Sequence, residues 1–250
     1  MSLKFLPQIR QLELFKDRSP SEFEALVQGA EEKVLKHRQC LFAAGTPASA
    51  FGVVVKGALK LVRPSSEGDN TIVHFATPGD IIAALLMSTP GAEYPVSSIA
   101  MGHSIVLKIP RSTYAASWFT NASIQKCFGG NLFTRMSQLQ AQKAMVKAPL
   151  SRKIATQLVT LIERYSGENE NILPIPLTRM EIAESLGASV ESVIRVMSDW
   201  SRKGYISTTD QVIEILEMDK IIEIVKGSSR TKNGRSGQEQ PIELPQFRQR

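Results

Sequence analysis

Glycines at 45, 57, 68, 79, 91 and 102 punctuate the first half of the chain at intervals of 11 or 12 residues. Between them lie short runs rich in β-branched residues: Phe51 to Val55, Leu59 to Val62, Thr71 to Phe75, Ile81-Ile82 and Ile105 to Ile109. Short strands with turn signals at this spacing predict an all-β sandwich or barrel. Each glycine is expected at a tight turn needing positive φ or at a close approach of two chains. Ser65-Ser66-Glu67-Gly68-Asp69-Asn70 reads as the clearest hairpin tip. Ahead of the strands, Ser19-Pro20-Ser21-Glu22 has capping-box spacing with proline at the first helical position, which predicts a helix.

From about Asn121 the period changes. Leu132, Leu139 and Val146 lie seven apart, with Phe128, Met136 and Met145 widening the stripe. No proline interrupts until Pro149, so a helix of roughly 25 residues is expected, of the kind that pairs with its twin. Leu132, Met136, Leu139 and Val146 are the candidate dimer contacts. Packing of this helix on its own β domain is the other reading, and the polar Gln138, Gln140, Gln142 and Lys143 favour pairing by keeping the stripe narrow. Pro149 disfavours helical geometry at Ala148, which places a hinge there. Ser151 is the expected cap of a following amphipathic helix with Ile154, Leu158, Leu161 and Ile162 on one face.

The segment from Thr178 to Val196 carries the chemistry. Thr178 caps a short helix whose inner face is Ile182, Ala183 and Leu186, and Gly187 supplies the left-handed residue that ends it within a tight turn. Ser189 then caps a second helix with Val193, Val196, Met197 and Trp200 facing inward. Two helices crossed this way form a helix-turn-helix, whose second helix enters the DNA major groove. Val190, Glu191, Ile194 and Arg195 are the outward candidates for base contact. Arginine can pair bidentately with guanine, glutamate can accept from a cytosine amino group, and isoleucine can touch a thymine methyl. Lys203-Gly204-Tyr205-Ile206 reads as a turn, and Ile206-Ser207 with Val212 to Ile215 as a hairpin tipped by Thr208 to Gln211. That hairpin would be a wing. Thr178, Arg179, Ser189, Ser192 and Gln211 are candidate phosphate contacts, which position rather than specify.

Charge does not locate this surface. The net +6 comes mostly from residues 1–146, with 15 Lys+Arg against 10 Asp+Glu, whereas residues 147–250 carry 15 against 14. No run approaches 18 apolar residues, so no membrane span is expected. Met1 to Leu6 lacks the apolar core and cleavage site of a signal peptide. Two cysteines, Cys40 and Cys127, are far apart, and the expectation is a cytoplasmic, reduced protein in which both are packing residues. No phosphate-cradling loop, metal-ligand cluster or nucleophile motif argues for an enzyme.

His37 to Gly45, Val55-Lys56-Gly57-Ala58-Leu59-Lys60-Leu61 and Phe75-Ala76-Thr77-Pro78-Gly79-Asp80, followed by the long helix and the winged unit, resemble the CRP/FNR superfamily over residues 10–225. The resemblance implies an α+β chain: an N-terminal β-roll (a jelly roll like cyclic-nucleotide-binding domains) over 1–120, a dimerisation helix over 121–148 and a winged helix-turn-helix DNA-binding domain over 149–225. Residues 226–250 are polar and rich in glycine, and are expected to be a disordered tail. Membership implies a homodimer on a pseudo-palindromic double-stranded DNA site, acting through RNA polymerase.

The pattern departs from the family where a cyclic nucleotide binds. The family's Gly-Glu pair, which holds the ribose, is matched by Ala83-Ala84. Its arginine and small hydroxyl residue, which hold the phosphate, fall in a stretch reading Glu93-Tyr94-Pro95-Val96-Ser97-Ser98. Gln138 and Leu139 occupy the helix positions that would touch the base. Burying a phosphate without a counter-charge is costly, so Ala83, Ala84, Tyr94, Pro95, Ser97, Gln138 and Leu139 describe a degenerate effector pocket that argues against cAMP. Tyr94 to Ser97 resembles the FNR branch, but two cysteines cannot supply the four thiolates of its iron–sulfur cluster. Haem would need an axial ligand from His37, His74 or His103, which read as ordinary strand or turn histidines. No cofactor is therefore expected, and a cyclic-nucleotide- or haem-dependent regulator of the same family is the alternative.

Overall fold

The computed structural model describes residues 4–64, 70–165, 171–173 and 175–227. The chain is α+β. Two short helices, α1 (Leu6–Gln11) and α2 (Pro20–Leu26), precede eight strands: β1 (Glu31–Leu35), β2 (Cys40–Phe42), β3 (Ala50–Lys56), β4 (Leu59–Pro64), β5 (Asn70–Ala76), β6 (Ile81–Ile82), β7 (Ser97–Ala100) and β8 (Ser104–Pro110). All five β-branched runs form strands. Antiparallel pairing gives two four-stranded sheets, β1-β8-β3-β6 and β2-β7-β4-β5. Between them lies a core that includes Phe51, Leu59 and Leu107. The Ser19 capping box on α2 is formed, with both reciprocal bonds present.

Gly45, Gly57, Gly79 and Gly91 have positive φ. The demand is strictest at Gly57, where a Cβ would lie 2.5 Å from the carbonyl oxygen of His103. Gly102 departs from the expectation. It is not left-handed, and a Cβ there would meet only Pro176, at 3.9 Å. The expected tip at 65–70 lies outside the described residues except for Asn70, which pairs with Pro64 where β4 meets β5.

A β-bulge in the β4–β5 ribbon decides which side chains face each core. Leu61 pairs with His74, but Val62 pairs with Ile72, so Val73 is the extra residue. Leu61, His74 and Ser98 therefore share the inner face of their sheet, and the bulge turns Ile72 outward to join Val62, Phe75 and Ile99. One inserted residue re-aims a side chain in this way because strand side chains alternate.

The single turn α3 (Arg111–Thr113) runs on to Trp118, whose Nε1 donates to the Leu26 carbonyl at 2.8 Å. Next come α4 (Ala122–Ala144), α5 (Leu150–Tyr165), α6 (Arg179–Leu186), α7 (Val190–Arg202), the hairpin β9 (Ile206–Thr209) and β10 (Val212–Ile215), and α8 (Met218–Lys226). Three expectations change here. Val146 falls in the turn after α4 rather than on the helix, although it is exposed. Ser151 lies inside α5, whose first turn closes on the Pro149 carbonyl. The third change is α8, which buries Ile221 and Val225 and has its Val225 carbonyl capped by Arg152 at 2.7 Å. The expected tail beyond Gly227 lies outside the described residues.

A second core holds Ile154, Leu158, Ile182, Val193, Met197 and Trp200. It also takes in Ala58, Val62, Ile72, Phe75 and Met101 from the β-roll, so the outer face of β4–β5 is a wall of the C-terminal core.

Candidate nucleic-acid interface and effector cavity

Capping fixes the two crossed helices. Thr178 Oγ1 accepts from the Glu181 amide at 3.1 Å, and the Glu181 carboxylate accepts from the Thr178 amide at 2.9 Å. The Thr-x-x-Glu spacing makes this reciprocal box legible in the sequence, beyond the Thr178 cap expected there. Gly187 ends α6 with φ 60°, and Ser189 caps α7 by accepting from the Ser192 amide at 3.3 Å. Val193, Met197 and Trp200 are buried, which fixes the rotation of α7. Glu191, Ile194 and Arg195 are thereby turned away from the core, and Ile194 keeps 46% of its surface in solvent. Val190 departs from this set. It is half-buried and packs against the C-terminal core.

The phosphate candidates divide in two. Ser189 and Gln211 are exposed, with the Ser189 hydroxyl also serving as the α7 cap. Thr178 is engaged in its cap, and the Ser192 hydroxyl accepts from Ser189 Oγ at 2.9 Å. The Arg179 guanidinium donates to Thr208 Oγ1 at 3.0 Å, so it ties α6 to the hairpin. Strand β9 runs through Thr209, which narrows the expected tip from four residues to Asp210-Gln211. Both have positive φ, at 50° and 67°, as a two-residue turn of the primed type requires.

Glu181 has a second role. Its Oε1 accepts from Lys60 Nζ of β4 at 3.1 Å, with the two side chains 8% and 19% exposed. Burial opposes ionisation there, yet the hydrogen bonds from Thr178 and from Lys60 outweigh it and hold the carboxyl below its ordinary range. No sequence pattern joins positions 60 and 181.

Inside the β-roll is a cavity of about 320 Å³. Leu61, His74 and Ala76 form one wall, the Ile81 to Leu86 segment another, and Tyr94, Pro95 and Val96 a third. Ala83, Ala84, Tyr94 and Pro95 line it. Ser97 does not: its hydroxyl accepts from the Ala44 amide at 3.0 Å, and Ser98 takes the lining position. Helix α4 contributes Phe128 and Leu132 rather than Leu139, while the Gln138 side chain lies outside the described residues. Ala83 adopts φ 67°, ψ 6°, a conformation that favours glycine, at the position matched to the family's glycine. The polar groups are gathered at His74, Asp80 and Ser98, with His74 Nε2 3.9 Å from Asp80 Oδ2. Asp80 Oδ2 also accepts from the Thr77 amide at 2.9 Å. No lysine or arginine lines the cavity among the described residues.

Elsewhere, His37 Nδ1 lies 2.8 Å from the Met101 carbonyl oxygen. Cys40 is exposed at the start of β2 and so is not the packing residue expected, whereas Cys127 is half-buried against the first core. Partial shielding of the sulfur from water pushes both thiols up, including that of Cys40, whose Sγ donates to the Phe42 carbonyl at 3.0 Å.

Comparison with known proteins agrees with this architecture. Residues 32–118 match the cyclic nucleotide-binding domain and residues 152–224 the Crp-like helix-turn-helix domain. The chain is 23% identical over 213 residues to a CRP-like cAMP-activated global transcriptional regulator of Mycobacterium tuberculosis, covering 83% of this chain and 94% of that protein. It is 27% identical over 190 residues to the transcriptional activator protein FnrA of Stutzerimonas stutzeri, covering 73% and 75%. The solved structure of FixK2 from Bradyrhizobium japonicum superposes with a TM-score of 0.67 at 18% identity, covering 78% of this chain and 96% of that one. Both halves thus match in the order in which they are folded here, and the chain belongs to the CRP/FNR superfamily of DNA-binding transcription regulators.

Proposed function

We propose that the protein works in the cytoplasm as a homodimer on a pseudo-palindromic double-stranded DNA site, acting through RNA polymerase, and that its β-roll does not respond to a cyclic nucleotide. The carrying observation is α7, whose buried face leaves Glu191, Ile194 and Arg195 together on the outer side. An acid, an apolar group and a guanidinium side by side suit base edges better than bulk water. Ser189 and Gln211 flank them as phosphate contacts. Leu132, Met136 and Leu139 on α4, all exposed, would form the dimer seam, with Val146 extending it beyond the helix end. The relatives divide between a cAMP-activated regulator and FNR-type activators, so family membership leaves the signal open. The cavity's lining argues against an anionic one, since a buried phosphate needs a counter-charge.

The test is binding of Arg195→Ala to a selected DNA site. A loss of about 2 kcal/mol with relaxed preference at one base pair is expected. Unchanged affinity and specificity would remove α7 as the reading helix. Wild-type affinity should also fall steeply with salt, and a flat response would argue against phosphate contacts.

A further inference from the structure

The cavity points to a ligand class. We infer that the β-roll binds an uncharged, largely apolar small molecule of about bicyclic size, with one hydrogen-bonding group directed at His74, Asp80 and Ser98. This rests on the proposal that the site does not serve a cyclic nucleotide.

Size is the first argument. Protein interiors are packed so closely that voids rarely exceed a water molecule, whereas about 320 Å³ is the lower end of the range for small-molecule sites. It is too small for a folded segment or a peptide of any length. The walls make the second argument. Leu61, Ile82, Leu86, Val96, Phe128 and Leu132 are hydrocarbon, which gains from covering an apolar ligand and gives an ionic one nothing in place of its water. Tyr94 adds an aromatic body, but its hydroxyl is committed to the Ala50 carbonyl at 2.6 Å.

Polarity is confined to one end. The Asp80 carboxylate repels an anion, and the Arg111 guanidinium is directed at the carbonyls of Ala48, Thr89 and Leu86. A hydroxyl or a neutral aromatic amine N–H on an otherwise apolar molecule suits Asp80 and Ser98, whereas a carboxylate, sulfonate or phosphate does not. A few convergent polar groups in an apolar wall are the usual means of orienting a small ligand. Leu85 lines the cavity and is exposed, so an apolar molecule meets an apolar rim.

A matched pair of dyes tests this on the full chain: neutral N-phenylnaphthylamine and its sulfonated counterpart, anilinonaphthalene sulfonate. Saturable fluorescence enhancement by the neutral dye, at one site per chain and at least about tenfold tighter than the sulfonate, is expected. Ala84→Phe should abolish it by filling the space. Leu85→Asp places a charge at the rim without touching the core, and should weaken it about tenfold even if the first variant folds poorly. Val34→Lys, on an exposed residue of β1 outside both the cavity and the α4 seam, should leave it unchanged.

Equal or tighter binding of the sulfonate would overturn the inference, as would enhancement that survives both cavity variants or disappears in Val34→Lys. Displacement of the neutral dye by cAMP would overturn both the ligand class and the reading of the pocket on which it rests. No dye binding, with DNA binding intact and cAMP silent, would overturn the ligand class alone.

Discussion

Helices α4 and α7 both hold large apolar side chains in solvent, for opposite reasons. On α7 the apolar residues are sorted: Val193, Met197 and Trp200 are buried, and Ile194 stands outside beside Glu191 and Arg195. Its own domain fixes the helix, so the outward face is free to carry recognition chemistry. On α4 the sorting runs along the axis. Ile124 and Phe128 near the start are buried in the β-roll, with the Phe128 ring 5.9 Å from Trp118. Leu132, Phe133, Met136 and Leu139 are then all exposed. The helix leaves its domain partway along and carries an apolar seam that the described residues leave uncovered. Packing on the β domain thus applies to the start of this helix, and the proposed pairing concerns only the exposed remainder.

That contrast can be broken where the seam is strongest. Leu139→Glu puts a charge in the middle of it, and a cost of about 4 kcal/mol or more in association is expected, seen as monomers in sedimentation. An intact dimer would show that α4 is not the seam. Phe128→Ala, only a few turns earlier, should do the reverse. It would cost about 3–4 kcal/mol of folding stability in thermal or denaturant unfolding and leave association unchanged. If it dissociated the dimer instead, the division along α4 would be wrong.

The anchoring of the reading unit to the β-roll gives a smaller effect. Lys60→Met leaves the buried Glu181 carboxylate without its cation, and a loss of about 3 kcal/mol is expected in denaturant unfolding. The pH dependence has a definite sign. The Glu181 carboxyl is held below its ordinary range in the folded chain, so its contribution is present above the unfolded pKa and lost as pH falls through the folded one. Glu181→Gln should therefore flatten the acid side of the stability profile, and an unaltered acid limb would refute this. Smallest is Ser189→Ala, which removes the cap of α7 at about 1 kcal/mol, measurable by chemical denaturation. A loss of DNA affinity larger than the loss of stability would mark the hydroxyl as a phosphate contact as well.

Much of this is legible in the sequence wherever the signal is local. Glycine spacing locates the strands, and Thr178, Gly187 and Ser189 mark the boundaries of α6 and α7 to within a residue. Legibility ends where distant chain segments decide. Strand β1 has no distinctive pattern of its own and is defined by its pairing with β8. The start of α1 is held by Glu32, which accepts from the amides of Lys4 and Phe5 at 2.8 and 2.7 Å. The candidate pocket loses Ser97 because one-residue alternation decides which neighbour faces in, and Leu139 because it lies two turns beyond Leu132, where α4 has left the β-roll. Val190 reads as outward from its position alone, whereas its packing against the C-terminal core is a tertiary contact.

The bulge at Val73 bears on how this chain could be cut or recombined. By turning Ile72 to the side of Val62 and Phe75, it makes one ribbon the lining of the β-roll cavity and a wall of the C-terminal core. A graft at the Pro149 turn would therefore not separate two finished modules. The reading unit expressed alone would lose the wall formed by Ala58, Val62, Ile72, Phe75 and Met101, and the β-roll would keep a bare apolar strip. A functional chimera would have to carry the outer face of β4–β5 with its C-terminal half, as if those side chains belonged to the unit they cover.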